Sequence, residues 1–213
     1  MSKSLALSLG TLGVGGAGLG AAGLHYWKNT PTSPKVTFSV KYSKALLNDE
    51  TGDDIWTSKL TALALETSNP KNPHLIRAKE EHKSNEKDRA KVSLKQGCQA
   101  IYSKSVDSRD DFDDFKNFCS LNNKDKISKG KSLVSAAGDF DTHWSTFSGA
   151  KRDDLYGGFK EIHDGKGSEA TDNNWKDKML KECGKISEDI FDGEIVDFTK
   201  FCTKDKSQQA TVN

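Results

Sequence analysis

Asp114-Phe115-Lys116-Asn117-Phe118-Cys119-Ser120 returns 83 positions later as Asp197-Phe198-Thr199-Lys200-Phe201-Cys202-Thr203. At the same offset Phe112 falls on Ile195, which carries the apolar match one helical turn upstream. Further back, Leu94-Lys95-Gln96-Gly97-Cys98 resembles Leu180-Lys181-Glu182-Cys183 once a one-residue deletion is allowed, and Trp56 has a counterpart in Trp144. Agreement of cysteine, tryptophan and apolar spacing marks a duplicated unit of about 80 residues. Each copy reads as a Trp, a long polar stretch, a Cys, and then D-F-x-x-F-C.

The apolar spacing within the copies is helical. Trp56, Leu60 and Leu63 share a face, as do Leu94, Cys98 and Ile101, and then Phe112, Phe115 and Cys119. In the second copy the stripes are Phe140, Trp144 and Phe147; Leu155, Phe159 and Ile162; Trp175, Met179, Cys183 and Ile186; and Ile195, Phe198 and Cys202. Val36, Phe38, Val40 and Tyr42 alternate as in a strand, but they have no evident partner strand and equally fit the start of a juxtamembrane helix. The expected fold is mainly α: an N-terminal transmembrane helix followed by a small helical ectodomain of two similar units. The boundaries read as an anchor over 1–28, a juxtamembrane spacer over 29–43, a helical unit over 44–121, a linker over 122–138, a second unit over 139–205 and a disordered tail over 206–213.

Composition narrows the function classes. The chain has 213 residues, 32 Lys and Arg against 31 Asp and Glu, and a formal net charge of +1. That balance removes the electrostatic basis for nucleic-acid binding. Leu, Ile, Val and Phe together number 43, and the mean hydropathy is −0.71. A core built from so few large apolar side chains is thin.

Those side chains are also unevenly spent. Leu5 to Leu24 is a run of 20 residues without a charge, about the length a helix needs to cross a bilayer. Tyr26 and Trp27 follow it as an aromatic pair suited to the headgroup region, and Asn29-Thr30-Pro31-Thr32-Ser33-Pro34 reads as a helix stop and extended spacer. The lipid bilayer is thus the first expected partner. The same stretch also fits a cleaved signal peptide, with small residues at Ala21 and Ala22, or a Gly-rich soluble tail. With no Cys before Cys98 a bacterial lipoprotein anchor is excluded. Gly16 and Gly20 have the spacing of a helix-pairing motif, which arises easily in so Gly-rich a run. Lys3 on one side nearly balances Lys28 and Lys35 on the other, and the expected orientation puts the large C-terminal part outside.

The glycines also make two G-x-G-x-x-G matches, at Gly13 and Gly18. A dinucleotide site needs a preceding strand and an acidic residue about 20 positions on. No acidic residue occurs before Asp49, so neither match is such a site.

Four cysteines fall two per copy. One reading is a bridge in each, Cys98 with Cys119 and Cys183 with Cys202, in an oxidising compartment; the other is four small buried thiols in a reducing one. Zinc-ligand spacing is absent. Asp139-x-Asp141-x-His143 looks like a ligand set but sits more naturally at the start of a helix ahead of Trp144. His74, His82 and His163 lie in polar surroundings and are expected in solvent. The acidic cluster Asp107, Asp110, Asp111, Asp113 and Asp114 lacks the spacing of a calcium loop and is expected to cap and solvate its helix. No catalytic residue, metal site or cofactor is expected.

The opening Gly10-Thr11-Leu12-Gly13-Val14-Gly15-Gly16-Ala17-Gly18-Leu19-Gly20, the spaced tryptophans and the ending Phe201-Cys202-Thr203 together resemble the paralogous, uncharacterised protein families of haemotropic mycoplasmas. That resemblance implies a membrane-anchored protein diversified at a host-facing surface, and brings no catalytic residues with it. Two Cys-to-aromatic-Cys units in one chain depart from the single unit of many members. The first expectation for function is therefore a non-enzymatic, membrane-anchored surface protein presenting variable polar surface to a host. The alternative is a cytoplasm-facing, membrane-tethered scaffold that binds a protein through the charged segment Arg77–Lys95.

Overall fold

The computed structural model describes residues 35–206. The expected anchor over 1–28, with Tyr26 and Trp27, lies outside the described residues, as does the expected tail beyond its first residue. No helix among the described residues is long and apolar enough to cross a membrane.

Helices dominate, as expected. The first half runs through a single turn α1 (Phe38–Lys41), α2 (Asp53–Ala64), α3 (Pro73–Lys83), α4 (Lys87–Tyr102) and α5 (Arg109–Asp114), which widens into a π turn over Phe115–Cys119. The second runs through a 3₁₀ turn (Asn123–Lys126), strand β1 (Lys131–Leu133), α6 (Trp144–Ser148), α7 (Phe159–Asp164), α8 (Asn173–Glu188), α9 (Val196–Phe201) and strand β2 (Thr203–Asp205). Local chemistry starts several of these helices. The Asn72, Ser108 and Asp172 side chains accept the first free amides of α3, α5 and α8, and Pro73 opens α3 where no amide donor is needed.

Each half has its own core, and the two are built alike. α4 buries Ala90, Leu94, Cys98 and Ile101; α8 buries Trp175, Met179, Cys183 and Ile186, each 85 positions later. The register is therefore straight, with Leu94 matching the fully buried Met179 and not the half-buried Leu180. The sequence match needed a deletion because it followed residue identity, whereas burial decides the register. Close packing of α3 on α4 depends on Gly97, where a Cβ would come within 2.6 Å of Leu75. At the same place on α8 stands Glu182, whose carboxylate accepts the Gly158 amide at 3.2 Å, at the start of α7.

Every letter of D-F-x-x-F-C has a repeated task. The Asp114 carboxylate accepts the amides of Lys71 and Asn72, at 2.9 and 2.6 Å, just ahead of α3. Asp197 accepts the Tyr156 amide at 2.7 Å, just ahead of α7. Asp114 is thus a buried tie and not part of a solvated cap; burial pushes its carboxyl up, against the opposing pull of the two amides. Phe115, Phe118, Phe198 and Phe201 fill the cores. The hydroxyl that follows the Cys donates to the carbonyl four residues back in both copies, Ser120 to Lys116 and Thr203 to Thr199. The chain then leaves extended, Ser120 bridging Leu46 and Thr203 pairing with Leu133.

The copies meet without a spacer. Phe38 N donates to Lys104 O and Val106 N to Val36 O; 85 positions later Asn123 N donates to Asp189 O and Phe191 N to Leu121 O. Leu121-Asn122-Asn123 thus opens the second copy as Val36-Thr37-Phe38 opens the first. Residues 122–138, read from the sequence as a linker, hold buried Asn122 and Asn123, two 3₁₀ turns and strand β1. Phe38, read as part of a spacer, is fully buried. Its alternating pattern yields one bridge, Thr37 to Ser105, and then a helical turn.

Buried polar groups fix this joint. Lys59 of α2, 3% exposed, meets Asp125 at 2.7 Å and donates to the Asn122 side-chain oxygen. The Asn122 amide group donates to Glu188 O at 3.0 Å and Asn123 donates to Ile186 O at 2.8 Å, both on α8. Burial pushes the Lys59 ammonium down while Asp125 holds it charged. Replacing Asp125 by Ala strands that cation in the interior, and a loss of about 3–5 kcal/mol is expected. Urea unfolding checks this, and a loss under 1 kcal/mol would refute the assignment of Lys59 as a desolvated charge.

Candidate functional site

The four sequence-predicted cysteines come together in the expected pairs. Cys98 is bonded to Cys119 with 5.0 Å between Cα atoms, and Cys183 to Cys202 with 5.3 Å; no cysteine is free. The geometry follows from the fold: α4 and α8 each present their Cys inward, and the D-F-x-x-F-C helix brings the second sulfur back to it. The reading as four buried thiols is set aside.

One hydrogen bond at this staple differs between the copies. In the second, Val134 N donates straight to Cys202 O at 2.9 Å. In the first, the Tyr102 hydroxyl stands between, accepting from Leu47 N at 3.0 Å and donating to Cys119 O at 2.8 Å. Its counterpart on α8 is Ser187, too short for that reach. Burial pushes the Tyr102 phenol well above its ordinary value.

Asp139, Asp141 and His143 do not converge. Asp139 accepts the amides of Ser135 and Ala136 and the Lys204 ammonium at 2.7 Å, and these contacts, Lys204 foremost, hold its carboxyl down to about 2. Asp141 pairs with Lys176 instead, and His143 stands at the N-terminus of α6 with its Nδ1 turned back to Asp139 O at 3.1 Å. Among the described residues no group of three His, Cys, Asp or Glu side chains is placed to hold a metal ion. His74 is exposed, as expected, whereas His163 is half-buried, edge-on to Phe147 at 5.6 Å.

The segment Arg77–Lys95 runs through the end of α3, a turn and the first half of α4, and many of its charges are paired within it or with α2 and the residues just after it. Arg77 meets Glu81 at 2.8 Å, Arg89 meets Glu86 at 2.7 Å, Lys91 meets Asp53 at 2.7 Å, and Ser93 donates to Glu81. Glu81 is buried on the α4 side, and the Ser93 hydroxyl and Arg77 hold it below its ordinary value. Much of this charge is therefore spent within the molecule.

Among the pockets of about 300 Å³ that the described residues form, two lie against the disulfide-stapled cores. One, of 310 Å³, lies between α2 and α4 beside the first disulfide, lined by Trp56, Lys95 and Tyr102; the buried Trp56 indole N–H has no hydrogen-bond partner among the described residues. The other, of 320 Å³, lies at the front of the second copy, lined by Ile127, Ile195 and Phe198. Nothing local in the sequence signals either pocket, because each is made by residues far apart along the chain. Comparison with protein-family models, curated proteins and solved structures finds no match, so function has to be argued from these residues alone.

Two outcomes are expected. Removing either bridge, as C98A/C119A or C183A/C202A, lowers stability by about 3 kcal/mol, the scale for closing loops of this size, measured by urea unfolding without reductant. Asp139, with a folded value below the carboxylate's ordinary 3.8, stabilises fully above pH 4 and progressively less as pH falls towards 2. The stability gap between the natural protein and Asp139→Asn, about 1–2 kcal/mol at pH 6, should therefore shrink steadily below pH 4 and be mostly lost at pH 2.

Proposed function

We propose that the protein is a non-enzymatic surface protein, tethered to a membrane through Leu5–Leu24 and displaying the two-copy helical body outside the cell. The observation that carries the reading is the pair of disulfides, one in each copy, with every cysteine used. Such bridges persist in oxidising surroundings and are scarce in the cytosol. The uncharged 20-residue run supports the tether on length alone.

A body of this construction suits display. Its interior is fixed by aromatics, sulfurs and a few buried polar ties, whereas long solvent-facing stretches are charged and self-paired. Substitutions at such exposed positions cost little, so the surface can vary while the frame holds. The resemblance to the paralogous families of haemotropic mycoplasmas belongs to the same reading, with a host-facing surface as the place of display.

Protease treatment of intact cells that make the full chain is the direct test. Cleavage within residues 35–206, with the four cysteines unreactive to thiol reagents until reduced, is the expected result. A fully protected body with four reactive thiols would instead favour the cytoplasm-facing scaffold.

A further inference from the structure

Comparing one copy with the other exposes a site that neither shows alone. In the first copy the front of the core is a cluster of rings. Phe38 lies 4.8 Å from Phe115, Tyr42 lies 5.3 Å from Phe115, and Phe112 lies 6.4 Å from Phe38 and 6.3 Å from Tyr42. The second copy repeats the strand bridge and the pair of amide bonds of this region, but its following turn is 3₁₀ where the first copy's is α, and Ile195 is extended where Phe112 is helical. Its side chains differ. Phe38 is matched by Asn123, Tyr42 by Ile127 and Phe112 by Ile195, leaving the Phe115 counterpart, Phe198, as the one ring retained of the four. Where three rings are replaced, the 320 Å³ pocket opens.

We propose that this pocket binds a small aromatic anion: one or two fused rings lying on Phe198 between Ile127 and Ile195, with an acidic group at the mouth. The ring preference follows from the lining, where Phe191, Phe198, Ile127 and Ile195 are apolar, and from the first copy, where the Phe198 counterpart, Phe115, packs against other rings 4.8 and 5.3 Å away. The size agrees, since 320 Å³ is at the small end of ligand pockets. The charge preference comes from the rim. Lys126 and Lys131 stand there against one acid, Glu194. Lys131 already meets Asp205 at 3.1 Å, whereas Lys126 has no ion-pair partner among the described residues and lies over the Phe191 ring at 5.3 Å. Thr203 lines the wall; its hydroxyl hydrogen is committed to Thr199 O, which leaves its oxygen lone pairs open.

The test uses the full, oxidised chain and 1-naphthoate as probe. Saturable binding with a Kd of about 1 mM or tighter is expected for a ligand of this size, with chemical-shift changes centred on the methyl groups of Ile127 and Ile195. The variant I127Y/I195F restores two of the first copy's rings, leaves Asn123 and its bond to Ile186 in place, and should abolish binding in equilibrium dialysis. Should that variant not fold, as judged by its circular dichroism and disulfides, Ile127→Trp serves the same purpose. Naphthalene-1-methanol, the neutral analogue, should bind about threefold more weakly, as a solvent-exposed ion pair allows. Absence of saturable binding to the natural protein, or undiminished binding to a folded, ring-filled variant, overturns the site. Equal affinity for the neutral analogue overturns its assignment to anions.

Discussion

The structure turns on one short extended segment, Ser120 to Asn123, which belongs to both copies at once. Ser120 bridges Leu46 and so closes the first copy; Asn122 bridges Ile190 and so opens the second. A strand end with free amide and carbonyl groups has to find partners, and here it finds them on both sides. The side chains repeat the logic. Asn122 gathers Lys59 from the first copy and Glu188 O from the second, so its neighbours on either side share one set of polar contacts. Neighbouring repeats that bury a common joint stabilise one another. Two units with thin cores can persist together for that reason.

How much of this was legible depended on whether a contact was local. The apolar stripe of α8 was readable because Trp175, Met179, Cys183 and Ile186 repeat at helical spacing on one helix. The disulfide pairs were readable because each copy holds two cysteines and a helix on either side of them. Asp114 was misread because its acidic neighbours suggested solvent, whereas its partners, the amides of Lys71 and Asn72, lie about 40 residues away and carry no side-chain signature. The stretch over 122–138 resembled a linker because Asn, Lys, Asp, Ser and Gly favour turns. In the structure Asn122 and Asn123 are buried by hydrogen-bonding a distant helix end, which composition does not register. The placement of Phe38 failed for the reverse reason. A lone alternating run has no visible partner until Ser105 is brought beside Thr37.

The two copies also show what duplication leaves free to change. Backbone bonds at the joint, the aspartate tie ahead of the third helix, the bridge and the hydroxyl after it recur. Outside the two phenylalanines of D-F-x-x-F-C, most ring positions do not. Position 90 is a buried Ala on α4, and its counterpart Trp175 is the largest fully buried side chain among the described residues, stacked 5.8 Å from Phe147 and tilted 5.1 Å from Trp144. The first copy concentrates its rings at the front, around Phe38 and Phe115; the second concentrates them behind, around Trp175.

That relocation explains why the front pocket is in the second copy. Once Trp175 and its neighbours supply apolar burial, the front positions are released from core duty, and Asn123, Ile127 and Ile195 occupy them while the paired amide bonds at the joint are kept. Asn123 illustrates the change. Its counterpart Phe38 is a core ring, whereas Asn123 turns its amide to Ile186 O and anchors the joint. A hydrogen bond thus replaces a packing contact at the same backbone position. The cavity is then a consequence of how the second copy redistributed its burial, on a wall that is rigid because the joint, the bridge at Cys202 and strand β2 all meet there. Rigid walls around released positions are the condition under which a duplicated fold acquires a binding site without losing stability.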